Sequence, residues 1–528
     1  MAGPAADERT HGRLTASGRR RLLTTALPGL LLALGALLRL RQWAAGRSFW
    51  LDELFIVEQV TTRGFGRLAA EPLSDNQSAP VGWLWSERLA YHLLGDNELA
   101  LRLPSLVFGI AALVLVWRLA LRVLPGALVG VPVAFAALAP ALIRYSNEVK
   151  QYQLDVVMVL LVLLVALRVP RDRFAWRPVA ALAGLGIAAV WCSVASVFAL
   201  GAVSLVLVVD GLARREVRRA LLTAGVLSAW LVSLGVAYLT VLTSSRESTV
   251  LNDYWGFTFP EGRPVLSWAH ARFSGLLGNP LHLDAHSGVA GALLVLGAVA
   301  LVLRSPRGGA AVLVSLGLGA VAALGAFYPF ADRLALWTVP LAGLLLAALL
   351  PHTIGSGPGM SRAWLIGSAM ALLVVTGPAC ADAVKQLGHR VEVEEMERLL
   401  HRVERARQPG DTVLSAIQAT TAMAYYGPRT GVVAQGVVRP RRVPAGELCR
   451  DASALQAAGF TRHGVWVVVR IGTTEYLPNG PLRALRPRIG SVAREVQRLD
   501  EPGVYAVRFV PAAGTARPHP SFCLEFQP

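Results

Sequence analysis

The chain has 528 residues, of which 54% are hydrophobic and only 16% charged, with a mean hydropathy of +0.50. A soluble protein of this size carries nearer a quarter charged residues, so an ordinary soluble enzyme is excluded. The net charge of +17 in so apolar a chain points to arginine-rich loops beside a membrane, not to nucleic acid.

The apolar runs Leu22–Leu38, Leu106–Val116 and Val156–Leu167 read, with their flanks, as helices crossing a hydrocarbon core of about 30 Å. The first does not read as a cleaved signal peptide, because no clear small-residue site follows it and Arg39 and Arg41 come at once. Residues 1–21 read as a disordered basic segment, which places the N-terminus in the cytoplasm. Helix one runs over about 22–39. Residues 41–98 follow, with amphipathic stretches at Trp50–Thr61 and Val81–Leu94 suited to a membrane interface.

Helix two covers about 101–121, and helix three returns to Ile143. Helix four then descends to Arg168, and helices five and six form a hairpin over 178–194 and 196–210. Helix seven climbs to about Thr243 before a loop over Ser244–Ser287. Helices eight and nine end at Arg304 and Tyr328, helix ten runs to Pro351, and helix eleven covers Trp364 to Ala379. About eleven helices put the N-terminus inside and the C-terminus outside. Short loops rich in arginine, such as that with Arg214, Arg215, Arg218 and Arg219, fall on one side as the positive-inside rule requires.

Past about residue 384 the composition changes. Val391–Arg407 is a charged amphipathic helix, and Asp411–Ala416, Gly431–Val438, Val465–Arg470 and Val504–Val510 read as strands, with a helix at Pro481–Leu499. The expected organisation is a basic tail (1–21), an all-α transmembrane domain (22–383) and an extracytoplasmic α/β domain (384–528). Cys449 and Cys523 fall in that domain, where an oxidising compartment lets thiols pair; sequence separation leaves their pairing open.

Five segments carry chemistry. In Phe49-Trp50-Leu51-Asp52-Glu53, two acids border apolar residues, which raises a carboxylate's pKa and makes it a better base. Neighbours on a helix point about 100° apart, so both cannot address one atom; alternatively, both favour a helix N-terminus through its dipole. Asp75–Trp83 places polar donors before Pro80, either a ligand contact or a turn and cap. In Arg144–Asp155, Arg144 and Lys150 could grip a phosphate, and Lys150 is one of only two lysines, with Lys385. Glu148, Tyr152 and Asp155 are spaced to share a helical face; the other reading is an interfacial belt of long side chains. In the loop before helix eight, Asn252–Phe257 is aromatic and polar, as sugar-binding surfaces are. There His282, Asp284 and His286 would line one side of an extended strand and could hold a divalent metal, or merely open the helix. Arg333, at the head of helix ten, suits bidentate binding of a lipid phosphate or an ion pair with Asp332.

Taken in order, these motifs resemble the GT-C superfamily of membrane glycosyltransferases, in its protein O-mannosyltransferase and aminoarabinose-transferase branch. The acids Asp52 and Glu53 follow helix one, and Ser78-Ala79-Pro80-Val81-Gly82-Trp83 comes next. Then Glu98–Ser105 opens helix two, Tyr145–Tyr152 opens helix four and Arg333–Pro340 opens helix ten. The resemblance covers about residues 22–380. It implies inverting transfer of a sugar, mannose by default, from a polyprenyl-phosphate carrier on the outer face of the cell membrane. Asp52 would be the base, with Glu53 beside it. The leaving phosphate and sugar would be held by Arg144, Glu148, Lys150, Tyr152 and Arg333. The partners implied are the lipid-linked donor, membrane lipids, and a protein, lipid or polysaccharide acceptor. No cofactor is carried over with certainty, since members of the family differ in metal dependence. Two other classes compete: a transporter or lipid flippase, and a membrane-anchored scaffold that binds a partner through its outer domain.

Overall fold

The computed structural model describes residues 22–171, 173–242, 249–350, 360–388, 391–438, 440–442, 448–450, 463–471, 483–488, 493–511 and 522–527. The basic tail at 1–21, the start of the loop from Ser244 and the stretch from Pro351 lie outside the described residues. The chain divides into two compact units. The first comprises 1–44, 63–95 and 99–390; the second comprises 45–62, 96–98 and 391–528.

The first unit is helical. Among the described residues, six helices are long and apolar enough to cross a membrane: Thr24–Trp43, Glu98–Val123, Ser196–Ala213, Val217–Thr240, Asp284–Arg304 and Pro306–Leu324. Three shorter apolar helices, Tyr152–Ala166, Trp176–Cys192 and Thr338–Ala348, accompany them. Every residue of Thr338–Ala348 is buried, which is why its pattern shows no polar face. The expected helix three is broken into Gly130–Leu138 and Pro140–Tyr145, because Pro140 cannot continue the hydrogen-bond ladder. The expected helix eleven lies within Met360–Gly388.

Small residues bring these helices close. A Cβ added at Gly35 would stand 2.9 Å from Ala137 Cβ and from a Leu113 methyl. The hairpin between Trp176–Cys192 and Ser196–Ala213 is tied by serines: Ser196 N–H donates to Ser193 Oγ (3.1 Å), and Ser196 Oγ donates to Ser193 O (2.7 Å), the local side-chain turn that serine favours.

Three expectations are corrected here. The loop expected from Ser244 contains helices at Thr249–Trp255 and Val265–Gly278. Helix four begins at Tyr152, after a connector over residues 146–151 on which the expected helical face does not form. Ser146 Oγ donates to Leu142 O (2.5 Å) and Asn147 Nδ2 to Ile143 O (2.9 Å), which terminates the preceding helix, so Glu148 lies on a non-helical connector and shares no helical face with Tyr152 and Asp155. Arg333 lies on a 3₁₀ turn, Asp332–Ala335, ahead of the helix it was expected to open.

The second unit is built on two sheets. The first has order β2-β1-β5-β8-β7, with β1 Thr412–Ala416, β2 Gly436–Val438, β5 Val465–Arg470, β7 Ala493–Glu501 and β8 Val504–Pro511. Strand β1 is parallel to β2 and β5, while β8 is antiparallel to β5 and β7. All of β1 and nearly all of β5 are buried, as continuous Val-rich strands covered on both faces must be. The second sheet, order β3-β4-β9-β6, is antiparallel. Its strands are β3 Pro440–Arg442, β4 Leu448–Arg450, β6 Arg483–Arg488 and β9 Phe522–Gln527. The helix expected over Pro481–Leu499 is replaced by β6 and the start of β7. Pairing with β9 and β8 outweighs the helix propensity of its Arg, Leu and Glu residues.

Asp411 ties the first sheet together at the foot of β1. Its carboxylate accepts from Arg508 Nε (2.8 Å) and Nη2 (2.9 Å), from Gln408 N–H (2.9 Å), Gly464 N–H (3.1 Å) and Trp466 Nε1 (3.2 Å). Burial alone would raise its pKa; the bonds from Arg508, Gln408 N–H and Trp466, with the charge of Arg508, together outweigh it and hold the carboxyl below the usual range.

Candidate active site

In the second unit, the Leu51–Thr62 helix presents the two adjacent acids. Trp50 begins it: its carbonyl accepts from Glu53 N–H (2.9 Å) and Leu54 N–H (3.0 Å). The Glu53 side chain folds back to accept from Trp50 N–H at 3.2 Å, the reach of an acid placed three residues into a helix. Glu53 is fully buried, while Asp52 is half-buried. The helix thus separates the pair as the 100° rule requires: Glu53 closes the helix start, and Asp52 retains access to solvent.

The residues around this turn come from far along the chain. Leu51 N–H donates to Glu394 Oε2 (3.2 Å), and Arg470 Nη2 lies 2.6 Å from Glu394 Oε1. Phe49 N–H donates to Tyr426 Oη (2.6 Å), which donates to Glu98 Oε1 (2.7 Å). Glu397 N–H donates to Ser48 Oγ (3.2 Å). None of Glu394, Arg470 or Tyr426 stands out in the sequence, because Arg470 and Tyr426 sit on an ordinary strand and helix and Glu394 on the irregular segment before a helix.

In the first unit the other predicted residues form two groups. Arg144 Nε pairs with Glu148 Oε1 at 3.0 Å, and Glu148 is fully buried. Lys150, 4% exposed, donates from Nζ to Gln77 Oε1 at 2.7 Å. Gln77 lies in the polar run before Pro80; that run was the only signal that could have found it. The connector is held from behind, where Arg39 Nε donates to Ser146 Oγ (3.1 Å) and Arg39 Nη2 to Ala136 O (3.0 Å). Gly109 packs directly against Ser146, where any Cβ would overlap the serine side chain.

The second group is aromatic and cationic. The Arg333 guanidinium stands 5.9 Å from the Tyr152 ring centre and 5.7 Å from that of Trp255, within cation–π range. Tyr152 packs edge-on against Tyr145 (5.3 Å). Asp155 Oδ1 accepts from Ser193 Oγ at 2.5 Å. Tyr152 and Arg333, distant in sequence, are brought together, and Trp255 joins them from the Thr249–Trp255 helix. An apolar crevice of about 290 Å³, lined by Phe135, Leu138, Leu281, Leu346, Leu372 and Cys380 among others, opens elsewhere in this unit.

The proposed metal triad is corrected. His282 has φ +55° and Asp284–His286 form a 3₁₀ turn, so no extended strand aligns the three side chains. No group of three His, Cys, Asp or Glu able to hold a metal occurs among the described residues.

Residues 78–238 match the family described as dolichyl-phosphate-mannose-protein mannosyltransferase. No curated protein matches the chain. Among solved structures, the apo oligosaccharyltransferase of Archaeoglobus fulgidus is 12% identical, with 86% of this chain and 70% of that one covered and a TM-score of 0.50. ArnT from Cupriavidus metallidurans, bound to undecaprenyl phosphate, is 15% identical over 94% of this chain and 98% of its own, with a TM-score of 0.45.

Proposed function

We propose that this multi-pass membrane protein is a GT-C-type membrane glycosyltransferase that moves a sugar from a polyprenyl phosphate to an acceptor hydroxyl, with Asp52 as general base; the family match over residues 78–238 and the likeness of fold to the oligosaccharyltransferase support the reading. The separation of Asp52 from Glu53 carries this reading. Glu53 is committed to Trp50 N–H, and Asp52 is half-buried on an adjoining face of the helix.

Asp52 takes the proton of the acceptor O–H. The acceptor oxygen attacks C1 of the sugar as the C1–O bond to phosphate breaks, and its electron pair leaves with the phosphate oxygen. Configuration at C1 inverts. Phosphate is already a good leaving group, so the protein chiefly supplies a positioned base and charge stabilisation. Lys150, with Gln77, and Arg333, between Tyr152 and Trp255, supply cations suited to an anionic leaving group. The Arg144–Glu148 pair shapes the same connector as Lys150. The apolar crevice suits an isoprenoid chain. Mannose is the proposed sugar, in keeping with the description of the matched family. The acceptor is a protein, lipid or polysaccharide hydroxyl. The basic loops favour an inside N-terminus and chemistry on the outer face of the cell membrane.

The test is transfer of labelled mannose from a polyprenyl-phosphate mannose by purified full-length protein, wild type beside Asp52→Asn. Removing a general base costs about 10²–10⁴-fold in rate. Loss of that size in a folded variant supports the assignment. Turnover that survives moves the base elsewhere, with Glu148 the next acid to replace.

A further inference from the structure

The Leu51–Thr62 helix and the three residues Asp96–Glu98 belong, with residues 391–528, to one compact unit. The C-terminal domain therefore folds around the segment that carries Asp52, and it does so through specific polar contacts. Three consecutive main-chain N–H groups at the start of that helix, those of Phe49, Trp50 and Leu51, donate to side chains: Tyr426 Oη, Glu53 Oε2 and Glu394 Oε2. Two of those three acceptors come from the C-terminal part of the chain. A helix start has N–H groups without intrahelical partners; here side chains meet them, and the direction in which the helix begins is fixed as a result.

The two distant acceptors are themselves held. Glu394, 2% exposed, accepts from Arg470 Nε at 2.7 Å, and Arg470 is the last residue of β5, the central strand of the first sheet. The guanidinium neutralises a carboxylate that would otherwise stand unscreened beside the acids of this helix. Gly503, in the turn between β7 and β8, has φ +70°, and a Cβ there would overlap the Val393 carbonyl and stand 2.8 Å from Glu394 Cγ. That turn therefore packs against the irregular segment carrying Glu394. Tyr426 is fully buried, and its hydroxyl accepts from Phe49 N–H and donates a hydrogen bond to Glu98.

We infer that Glu394, backed by Arg470, and Tyr426, backed by Glu98, are positioning residues for Asp52. They touch neither sugar nor phosphate in this scheme; they set the backbone from which the base projects. The inference rests on Asp52 as base, but its first measurement does not depend on that reading.

Full-length Glu394→Ala and Tyr426→Phe are compared with wild type and Asp52→Asn by hydrogen exchange and by transfer of labelled mannose from polyprenyl-phosphate mannose. Faster amide exchange over residues 48–54 is expected in Glu394→Ala and Tyr426→Phe but not in Asp52→Asn. In the transfer assay, both positioning variants should lower kcat by about 10–100-fold, the scale of a small misplacement, with the donor KM within about twofold. Glu394→Gln, which keeps an oxygen for Leu51 N–H, should recover most of the lost rate. Unchanged exchange over 48–54, or a loss confined to KM, overturns the inference. If Glu394→Ala does not fold, Tyr426→Phe, which removes one hydroxyl, decides the matter on the same two readouts. Turnover retained by Asp52→Asn sinks the base assignment instead, while the exchange data still report whether these residues hold the segment.

Discussion

At the scale of single residues, Lys150 is the cation whose surroundings say most. It is buried, and its Nζ donates to the Gln77 side-chain oxygen; an ammonium is a donor of three hydrogen bonds and suits an anionic ligand. If the phosphate of the donor is its partner, Lys150→Met should weaken binding of a labelled polyprenyl phosphate at least about 30-fold, because truncating one partner of a buried charge pair costs about 2–5 kcal/mol. Gln77→Ala should weaken it less, since it removes an orienting group and not the charge. Equal binding by wild type and Lys150→Met, measured by equilibrium binding in detergent, would remove Lys150 from the donor site. Gly109 offers a separate check on the same connector. Gly109→Ala must displace Ser146, the acceptor of the Arg39 Nε–H, so it should lower the thermal stability of the purified protein. A variant as stable as wild type would show that Ser146 can turn away at no cost.

At the scale of elements, the ion pair at the foot of β1 makes a pH prediction. The Asp411 carboxyl is held below its ordinary value by Arg508, so its contribution is complete above the unfolded pKa, about 3.9, and is lost as pH falls through the lower folded value. Amide protection in β1, β5 and β8, corrected for intrinsic exchange, should therefore fall on acidification below about pH 4. Asp411→Asn should lose roughly 3 kcal/mol at neutral pH, because it leaves Arg508 without its buried carboxylate, and should show a flatter acid response. Identical acid profiles in the two proteins would reject this. Elements with one strong signal were legible in the sequence: the long apolar helices, the amphipathic Val81–Leu94 and the Val-rich β5 all lie where their periodicity puts them. Where side chains compete with the main chain, or where a partner strand decides, the sequence misled. Ser146 and Asn147 bond back to the preceding helix and leave Glu148 off the helical face that its spacing suggested, and β6 and β7 formed from residues whose own preference is helical. The adjacent acids were visible as a pair; which of them closes the helix depends on backbone geometry that spacing does not encode.

At the scale of the molecule, deletion of residues 391–528 should abolish transfer to every acceptor, not merely change acceptor choice, because those residues form one unit with the Asp52 segment. Transfer that persists to some acceptor would mean that the segment holds its conformation alone.

That unit also has a consequence for the order of events at the ribosome. Residues 45–62 emerge early, but Glu394, Tyr426 and Arg470 emerge only after the whole helical unit has been made. At about 5–20 residues per second, the chain between Thr62 and Val391 takes roughly 15–65 s to synthesise. Throughout that interval the acid pair is attached to the membrane without the side chains that fix it. If Asp52 is the base, a nascent or prematurely terminated chain would thus be inserted yet unable to use it, and activity would begin only once the residues that hold it have been made.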